Sequence, residues 1–291
     1  MSDRRFEPLR LPAWREPLKA SAPEILEAVF APDENKMWPL PPTEHQSFID
    51  GVNQPVWHTF TCSPKEFGVP GSEYFAGTHI NPKVTWFEQA APFMTYLGRC
   101  QHLLRQGHFV ADVCAYVGDV PYQHWGRYTT KWNDRATLEL PPGHAYDVIT
   151  SEALLERASA KDGAIVLPDG MTYRVLAVDL AEPQAPLAVL RKIAELKQAG
   201  VPVVFGTRRP QRTPGLAAGD DQALRLGEEL WADSPSLAEI LNEKNLPPDF
   251  EGPFEYTHRR DGATDIYFVA GTGKAECVFR IRGRQPELWD P

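Results

Sequence analysis

The 291-residue chain is 42% hydrophobic, 24% charged and 11% aromatic, which excludes global disorder and leaves enough apolar surface for a real core. Its net charge of −9 argues against a nucleic-acid or anionic-membrane partner, since both need a basic face. No apolar run approaches the roughly 18 residues of a membrane span, and Met1-Ser2-Asp3-Arg4-Arg5 leads into no apolar export signal.

A cytoplasmic location is therefore expected of the chain as given; a periplasmic or secreted one stays open if the true N-terminus lies upstream. The 21 glycines and 28 prolines point to a loop-rich fold rather than a helical bundle. In chain order, residues 1–42 are poorly organised: Pro8, Pro12, Pro17, Pro23 and Pro32 interrupt them, and Pro39-Leu40-Pro41-Pro42 forms a stiff spacer. Thr43 and Gln46 have capping-box spacing for a short helix through Phe48. Residues 54–60 (QPVWHTF) alternate as a strand does.

Residues 61–83 form a long stretch rich in Gly, Pro, Ser and Thr; loops of this length inside a domain are usually functional. Thr85 and Glu88 predict the start of the clearest helix. Its apolar positions Phe87, Ala90, Ala91, Met94, Leu97 and Leu104 keep helical period, and Gly107 ends it. Pro92 lies inside it and predicts a kink.

Residues 108–117 (HFVADVCAYV) read as a strand buried on both faces. Strands at 146–150, 173–178 and 201–205 then alternate with a helix at 151–157, which Ser151 is expected to cap, and one from Pro186 to residue 198, with Gly200 as the C-terminal cap. This alternation predicts an α/β fold: a doubly wound, mostly parallel sheet over residues 109–245, amidotransferase-like in outline. Residues 255–270 read as a β-hairpin with an Asp-Gly turn region and 274–282 as a further strand. Together they predict a β-sandwich that too few residues remain to complete.

Absent motifs narrow the chemistry. Gly206-Thr207-Arg208-Arg209 follows a strand but has neither the Walker nor the GxGxxG pattern. The chain has no GxSxG elbow and no HExxH, and its eight histidines are dispersed. Cys62, Cys100, Cys114 and Cys277 form no CxxC pair, so neither a disulfide framework nor a cysteine zinc site is expected. Cys114, within a strand run, is expected to be a buried, inert thiol rather than a glutaminase-like nucleophile.

The chemistry-bearing residues gather elsewhere. His58, Glu66, Glu73, Tyr74, His79, Asn81 and Trp86 lie on the end of the 54–60 strand and the loop after it. Carboxylates and amides that exchange hydrogen bonds with hydroxyls, beside Trp and Tyr faces that cover C–H surface, suit a carbohydrate site. Trp57 and Trp86 equally suit core anchors, and Glu73 a solvated loop carboxylate. Glycoside cleavage needs two carboxylates at a set separation, and Glu66 with Glu73 is the pair this loop offers. A second cluster, Tyr122, His124, Trp125, Arg127, Tyr128 and Trp132, follows the 108–117 strand, where open α/β sheets form crevices; a loop packed on a neighbouring domain fits it as well.

Several of these segments carry a family resemblance. GVNQPVWHTF (51–60), EYFAGTHINPKVTWFEQAAPFMTYLGRCQHLLRQGHFVADV (73–113), PPGHAYDVITSEALLERASAKDGAIVLPDGMTYRVLAV (141–178), LRKIAELKQAG (190–200), THRRDGATDIYFVA (257–270) and RGRQPELWDP (282–291) together resemble glycoside hydrolase family 106, the α-L-rhamnosidases. The resemblance implies a long enzyme in which a TIM-type barrel precedes a doubly wound domain and β-sandwich modules. It further implies hydrolysis of terminal α-L-rhamnosides by inversion, with calcium in some full-length members and no other cofactor. Its partner would be a rhamnose-containing oligosaccharide or glycoside.

On this layout, residues 43–107 are the C-terminal remnant of a catalytic (β/α)8 barrel, with the 61–83 loop at its active face. Residues 108–250 are the doubly wound α/β domain and 251–291 truncated sandwich strands. His58, Glu73, His79, Asn81 and Trp86 would line the sugar pocket, while the catalytic carboxylates would lie upstream and remain unassigned. One strand cannot close a barrel, so the isolated chain is expected to be inactive as a rhamnosidase. The rival reading is a non-catalytic accessory or oligomerisation module, whose uncovered apolar surface would favour self-association. A small-molecule enzyme built on the α/β domain alone rests on fold analogy.

Overall fold

The computed structural model describes residues 44–55, 60, 62–69, 71–72, 81–83, 87–119, 136–215, 220–232, 234–271 and 273–289. These form two compact units, one of residues 108–252 with 277–282, the other of the preceding residues with 253–276 and 283–291. No helix among the described residues is long and apolar enough to cross a membrane.

The first unit is built on a parallel sheet. Strands β2 (Val113–Tyr116), β3 (Tyr146–Val148), β7 (Val175–Val178) and β8 (Val203–Phe205) lie in the order β3-β2-β7-β8. Val113 stands opposite both Tyr146 and Val175, and Val178 opposite Phe205. Every residue of β2, β7 and β8 is buried, as a sheet covered on both faces requires.

Successive side chains point to opposite faces, so each strand feeds two cores. Cys114, Tyr116, Leu176 and Val178 pack with Leu154 of helix α3 (Ser151–Glu156), Leu190, Ile193 and Leu196 of α4 (Leu187–Gln198), and Leu230 of α5 (Asp220–Trp231). Val113, Ala115, Val175, Ala177 and Val204 pack on the other side with Leu237, Ile240 and Leu241 of α6 (Leu237–Glu243). The predicted parallel sheet with helices on both faces is therefore present.

Several details differ from the sequence expectation. Helix α3 is capped by Thr150, whose hydroxyl accepts from the Ala153 N–H at 3.2 Å; Ser151 is engaged elsewhere. Between α3 and β7 the chain makes an antiparallel sheet, β4 (Ser159–Lys161), β5 (Ala164–Val166) and β6 (Thr172–Tyr173). The turn between β4 and β5 is Asp162-Gly163, with φ of 51° and 71°, the left-handed pair a two-residue hairpin demands. The strand expected at 274–282 is confined to β12 (Val278–Phe279), which pairs antiparallel with β9 (Phe250–Glu251).

The second unit holds α1 (Glu44–Ile49), α2 (Ala91–Leu104) and the hairpin of β10 (Glu255–Asp261) and β11 (Thr264–Ala270). The hairpin register runs from Glu255–Ala270 to Asp261–Thr264 around Gly262 at φ 53°. Phe48, Phe93, Tyr96, Leu97, Cys100 and Leu104 form its core, and Phe268 meets Phe48 edge to face at 5.6 Å.

Helix α2 begins at Ala91, after a 3-10 turn at Glu88–Ala90. Thr85 lies outside the described residues. Pro92 therefore sits in the first turn, where its missing N–H has no intrahelical acceptor to lose, and the predicted kink has no cause. Arg259 closes the far end of the helical segment, its Nε donating to Gln106 O at 2.7 Å and Nη2 to Gly107 O at 2.6 Å.

Candidate functional site

The 61–83 loop is held by its ends. Ser63 Oγ accepts from the Ser72 N–H at 2.8 Å and from Lys83 Nζ at 2.9 Å, and Lys83 Nζ also donates to Pro64 O at 2.7 Å. One ammonium thus ties residues twenty positions apart. Gly71, at φ 80°, fits where a Cβ would collide with the Ser63 hydroxyl and Lys83. Between these ties a 3-10 turn at Lys65–Phe67 carries Glu66 in the open. Phe67 and Val69 are 61% and 80% exposed.

Asn81 is the predicted site residue whose position the structure gives. Its side chain is 2% exposed. Oδ1 accepts from the Lys83 N–H at 2.9 Å, while Nδ2 has no hydrogen-bond partner. A buried amide donor left open costs on the order of 1–3 kcal/mol, and such groups call for a physical reason. His58, Glu73, His79 and Trp86 lie outside the described residues, as do Tyr74 and the whole 122–132 cluster. Glu66 therefore has no described carboxylate facing it from this loop.

The α/β unit holds three polar constellations that sequence reasoning did not find. Beyond the carboxyl ends of β2 and β3, Ser151 Oγ donates to Asp119 Oδ2 at 2.7 Å and lies 2.8 Å from the buried Tyr116 hydroxyl. Since the serine proton goes to Asp119, Tyr116 is the donor to Ser151. At the end of β7, Asp179 is 1% exposed. It accepts from the Thr137 and Leu138 N–H groups at 2.7 and 3.0 Å and from the Thr137 hydroxyl at 2.6 Å. An acid directly after an apolar strand was the available signal.

At the opposite, amino edge, Asp112 Oδ2 takes hydrogen bonds from His144 Nδ1 at 3.1 Å and Arg280 Nη1 at 2.9 Å. Arg280 also approaches Asp249 Oδ1 at 3.4 Å. Burial pushes the Asp112 carboxyl up, but the His144 and Arg280 hydrogen bonds and charges outweigh it and hold it below its ordinary value. This cluster sits where strands begin, so it pins β12 and β9 to the sheet.

Cys114 is fully buried and its thiol is pushed far up by desolvation and then by the Asp147 charge, which makes it inert as expected. Among the described residues no three His, Cys, Asp or Glu side chains gather to hold a metal ion.

Comparison with known proteins extends this geometry. The profile of the Glyco_hydro_106 family, described as alpha-L-rhamnosidase, matches residues 21–291. A protein of Formosa agariphila named "Putative beta-glucuronidase" is 28% identical over 265 residues, 84% of this chain and 21% of that protein. The solved structure of a rhamnosidase from Novosphingobium sp. PP1Y superposes with a TM-score of 0.66 at 27% identity, over 84% of this chain and 25% of that one. The chain thus spans between a fifth and a quarter of the length of these relatives.

Proposed function

The chain belongs to glycoside hydrolase family 106, the α-L-rhamnosidases, and from this we propose that it is part of an enzyme that hydrolyses terminal α-L-rhamnosides with inversion. In this reading residues 43–107 are the closing portion of the catalytic barrel, 108–250 a doubly wound domain, and 251–291 the first strands of a sandwich. The 61–83 loop and its flanks carry the sugar-contacting side chains His58, Glu73, His79, Asn81 and Trp86.

The observation that carries the site is the Asn81 amide. A buried Nδ2 with no partner among the described residues is a donor suited to an acceptor from outside them. A rhamnose hydroxyl oxygen is such an acceptor. The Lys83 N–H fixes Oδ1, so the amide cannot flip without losing that bond. Ser63 and Lys83 hold the loop around it.

Inversion needs one carboxylic acid kept protonated and one carboxylate base. The described carboxyls with a resolved displacement, Asp112, Asp220, Glu239 and Asp265, are all held low by hydrogen bonds. None of these four suits the acid. Since one strand and its helix cannot close a catalytic barrel, we expect the 291-residue chain to bind rhamnose without hydrolysing rhamnosides.

The test pairs two measurements. Incubation with an aryl α-L-rhamnoside should release no aryl alcohol, and release would overturn the inactivity. Titration with L-rhamnose, followed by ligand NMR, should give binding that Asn81→Ala weakens about tenfold, the loss of one hydrogen bond worth about 1.4 kcal/mol. That variant also loses the Oδ1 bond to the Lys83 N–H, so its folding is checked by circular dichroism before binding is compared. Unchanged rhamnose binding would remove Asn81 from the site.

A second reading, self-association, is favoured by the exposure of Phe60, Phe67, Val69 and Trp289 at 61%, 61%, 80% and 67%. Sedimentation showing one monomeric species over a hundredfold concentration range would exclude it.

A further inference from the structure

The loop after β8 belongs to none of the chemistry above, yet it is built with care. It runs Gly206-Thr207-Arg208-Arg209-Pro210-Gln211-Arg212, placing three cations within five positions of a chain whose net charge is −9. With Pro183 it lines an open cleft of about 570 Å³, whose walls are Pro183, Thr207, Arg208, Arg209 and Gln211. No acidic side chain is among them.

The loop's backbone is fixed from several sides. Trp231 Nε1 donates to Gly206 O at 2.9 Å, and the Gln211 N–H donates to Pro183 O at 2.9 Å. Arg208 Nη1 donates to Leu180 O at 3.1 Å. Gly206 lies where any Cβ would strike the Asp179 carboxylate and the Thr137 hydroxyl. Gly227 is buried in the interior of α5, and a Cβ there would come within 2.8 Å of Pro210 and 3.4 Å of the Arg209 stem. A glycine in a helix interior costs about 1 kcal/mol relative to alanine; here it lets the loop lie against the helix.

The nearest carboxylate in sequence, Asp220, is held below its ordinary value first by Thr213 and, less strongly, by the Arg212 charge. It accepts from the Thr213 N–H at 2.7 Å and the Thr213 hydroxyl at 2.9 Å. Arg209, which lines the cleft, and Arg212, which flanks it in sequence, are both exposed. A planar guanidinium presents a fork of N–H donors that matches a carboxylate or sulfate oxygen pair. Thr207 and Gln211 add neutral donors and acceptors of the kind that read hydroxyls. The loop follows the carboxyl end of β8, an edge strand of the parallel sheet.

We propose that this cleft is an anionic-saccharide site, in which Arg209 engages the carboxylate or sulfate of an acidic sugar, Arg212 adds positive charge from beside the cleft, and Thr207 and Gln211 address the sugar hydroxyls. It lies in the other compact unit from the 61–83 loop and takes a different ligand class.

The experiment uses the 291-residue chain, its Arg209→Gln/Arg212→Gln variant and its Asn81→Ala variant, each checked for folding by circular dichroism. The probes are a glucuronic-acid oligosaccharide, a sulfated oligosaccharide, a neutral rhamno-oligosaccharide of equal length and inorganic sulfate, titrated calorimetrically at 50 and 200 mM salt. At least one acidic oligosaccharide should bind, tenfold or more weaker in the double arginine variant and more weakly at the higher salt. Asn81→Ala should leave that binding intact, and neutral-sugar binding should be unmoved by the arginine changes. Inorganic sulfate binding as tightly as both acidic sugars would overturn the saccharide assignment. Equal acidic-sugar binding in the double arginine variant, or none by the parent chain, would overturn the site. Loss of neutral-sugar binding in Asn81→Ala alone bears on the rhamnosidase reading and not on this one.

Discussion

Replacing Arg280 by alanine tests whether the buried charges at the amino edge of the sheet are structural. Arg280 Nη1 donates to Asp112 Oδ2 at 2.9 Å and to Pro247 O at 3.0 Å, and its guanidinium pairs with Asp249 at 3.4 Å. The acids it serves are 7% and 3% exposed as side chains, and Arg280 itself 22%. Removing one partner of a buried pair costs roughly 3–5 kcal/mol because the other charge stays behind unpaired. Asp112 keeps His144 at 3.1 Å, and Arg280 is partly wet, so the lower end, about 3 kcal/mol, is expected.

The pH dependence follows from the Asp112 carboxyl, held below its ordinary value of 3.8 by His144 and Arg280 against the opposing effect of burial. A depressed carboxyl stabilises the folded state fully above its unfolded pKa and loses that contribution as pH falls through the folded one. The gap between parent and Arg280→Ala should therefore be widest above about pH 5 and narrow below about pH 4.

Urea melts at several pH values, with hydrogen exchange at the Val175 N–H, which donates to Asp112 O at 3.1 Å, would measure it. A loss under about 0.5 kcal/mol, the scale of an exposed pair, would show that water already screens the cluster. A gap constant from pH 3 to 8 would show that Asp112 is not the group being stabilised.

Two further outcomes follow. Gly206→Ala should lower the stability of the α/β unit by about 2 kcal/mol, the overpacking scale, because its methyl would enter the space of the Asp179–Thr137 hydrogen bonds; an unchanged urea midpoint would refute the tight fit. A thiol reagent under native conditions should label Cys62, which is exposed, while Cys100, pushed up by burial to about 11, and Cys114 stay protected. Rapid labelling at Cys114, read by mass spectrometry, would contradict its burial.

The parallel sheet was legible because three of its four strands obey one rule. Val113–Tyr116, Val175–Val178 and Val203–Phe205 are apolar on both faces, and the helix before β8 is bracketed by Pro186 and by Gly200 at φ 91°. Where two local signals competed, the reading slipped. Thr150 and Ser151 are both good caps, and the choice was made by tertiary partners, since Asp119 and Tyr116 claim the serine hydroxyl. Thr85 with Glu88 spelled a capping box, yet the α-helix starts six residues later at Ala91. The Asp162-Gly163 turn and the Ser236-Glu239 capping box were plain in the sequence and passed over; the structure uses both.

The candidate sites were legible in a different measure, set by how far apart their parts lie. Asn81 could be named because amides, carboxylates and aromatic rings crowd one loop, and composition alone flags such crowding; its open Nδ2 could not, since satisfaction of a donor is a property of packing. The Asp112–Arg280 bond joins residues 168 positions apart, and no periodicity links them. The arginine loop shows the reverse failing. Its residues are contiguous and were read only against a phosphate-loop pattern they do not match. Their placement becomes apparent once Gly206 and Gly227 are seen to be glycines for opposite neighbours, a carboxylate cluster on one side and a proline on the other. Two close approaches bracketing one cationic segment fix where its guanidinium groups begin, which is what distinguishes a positioned charge from a solvated one.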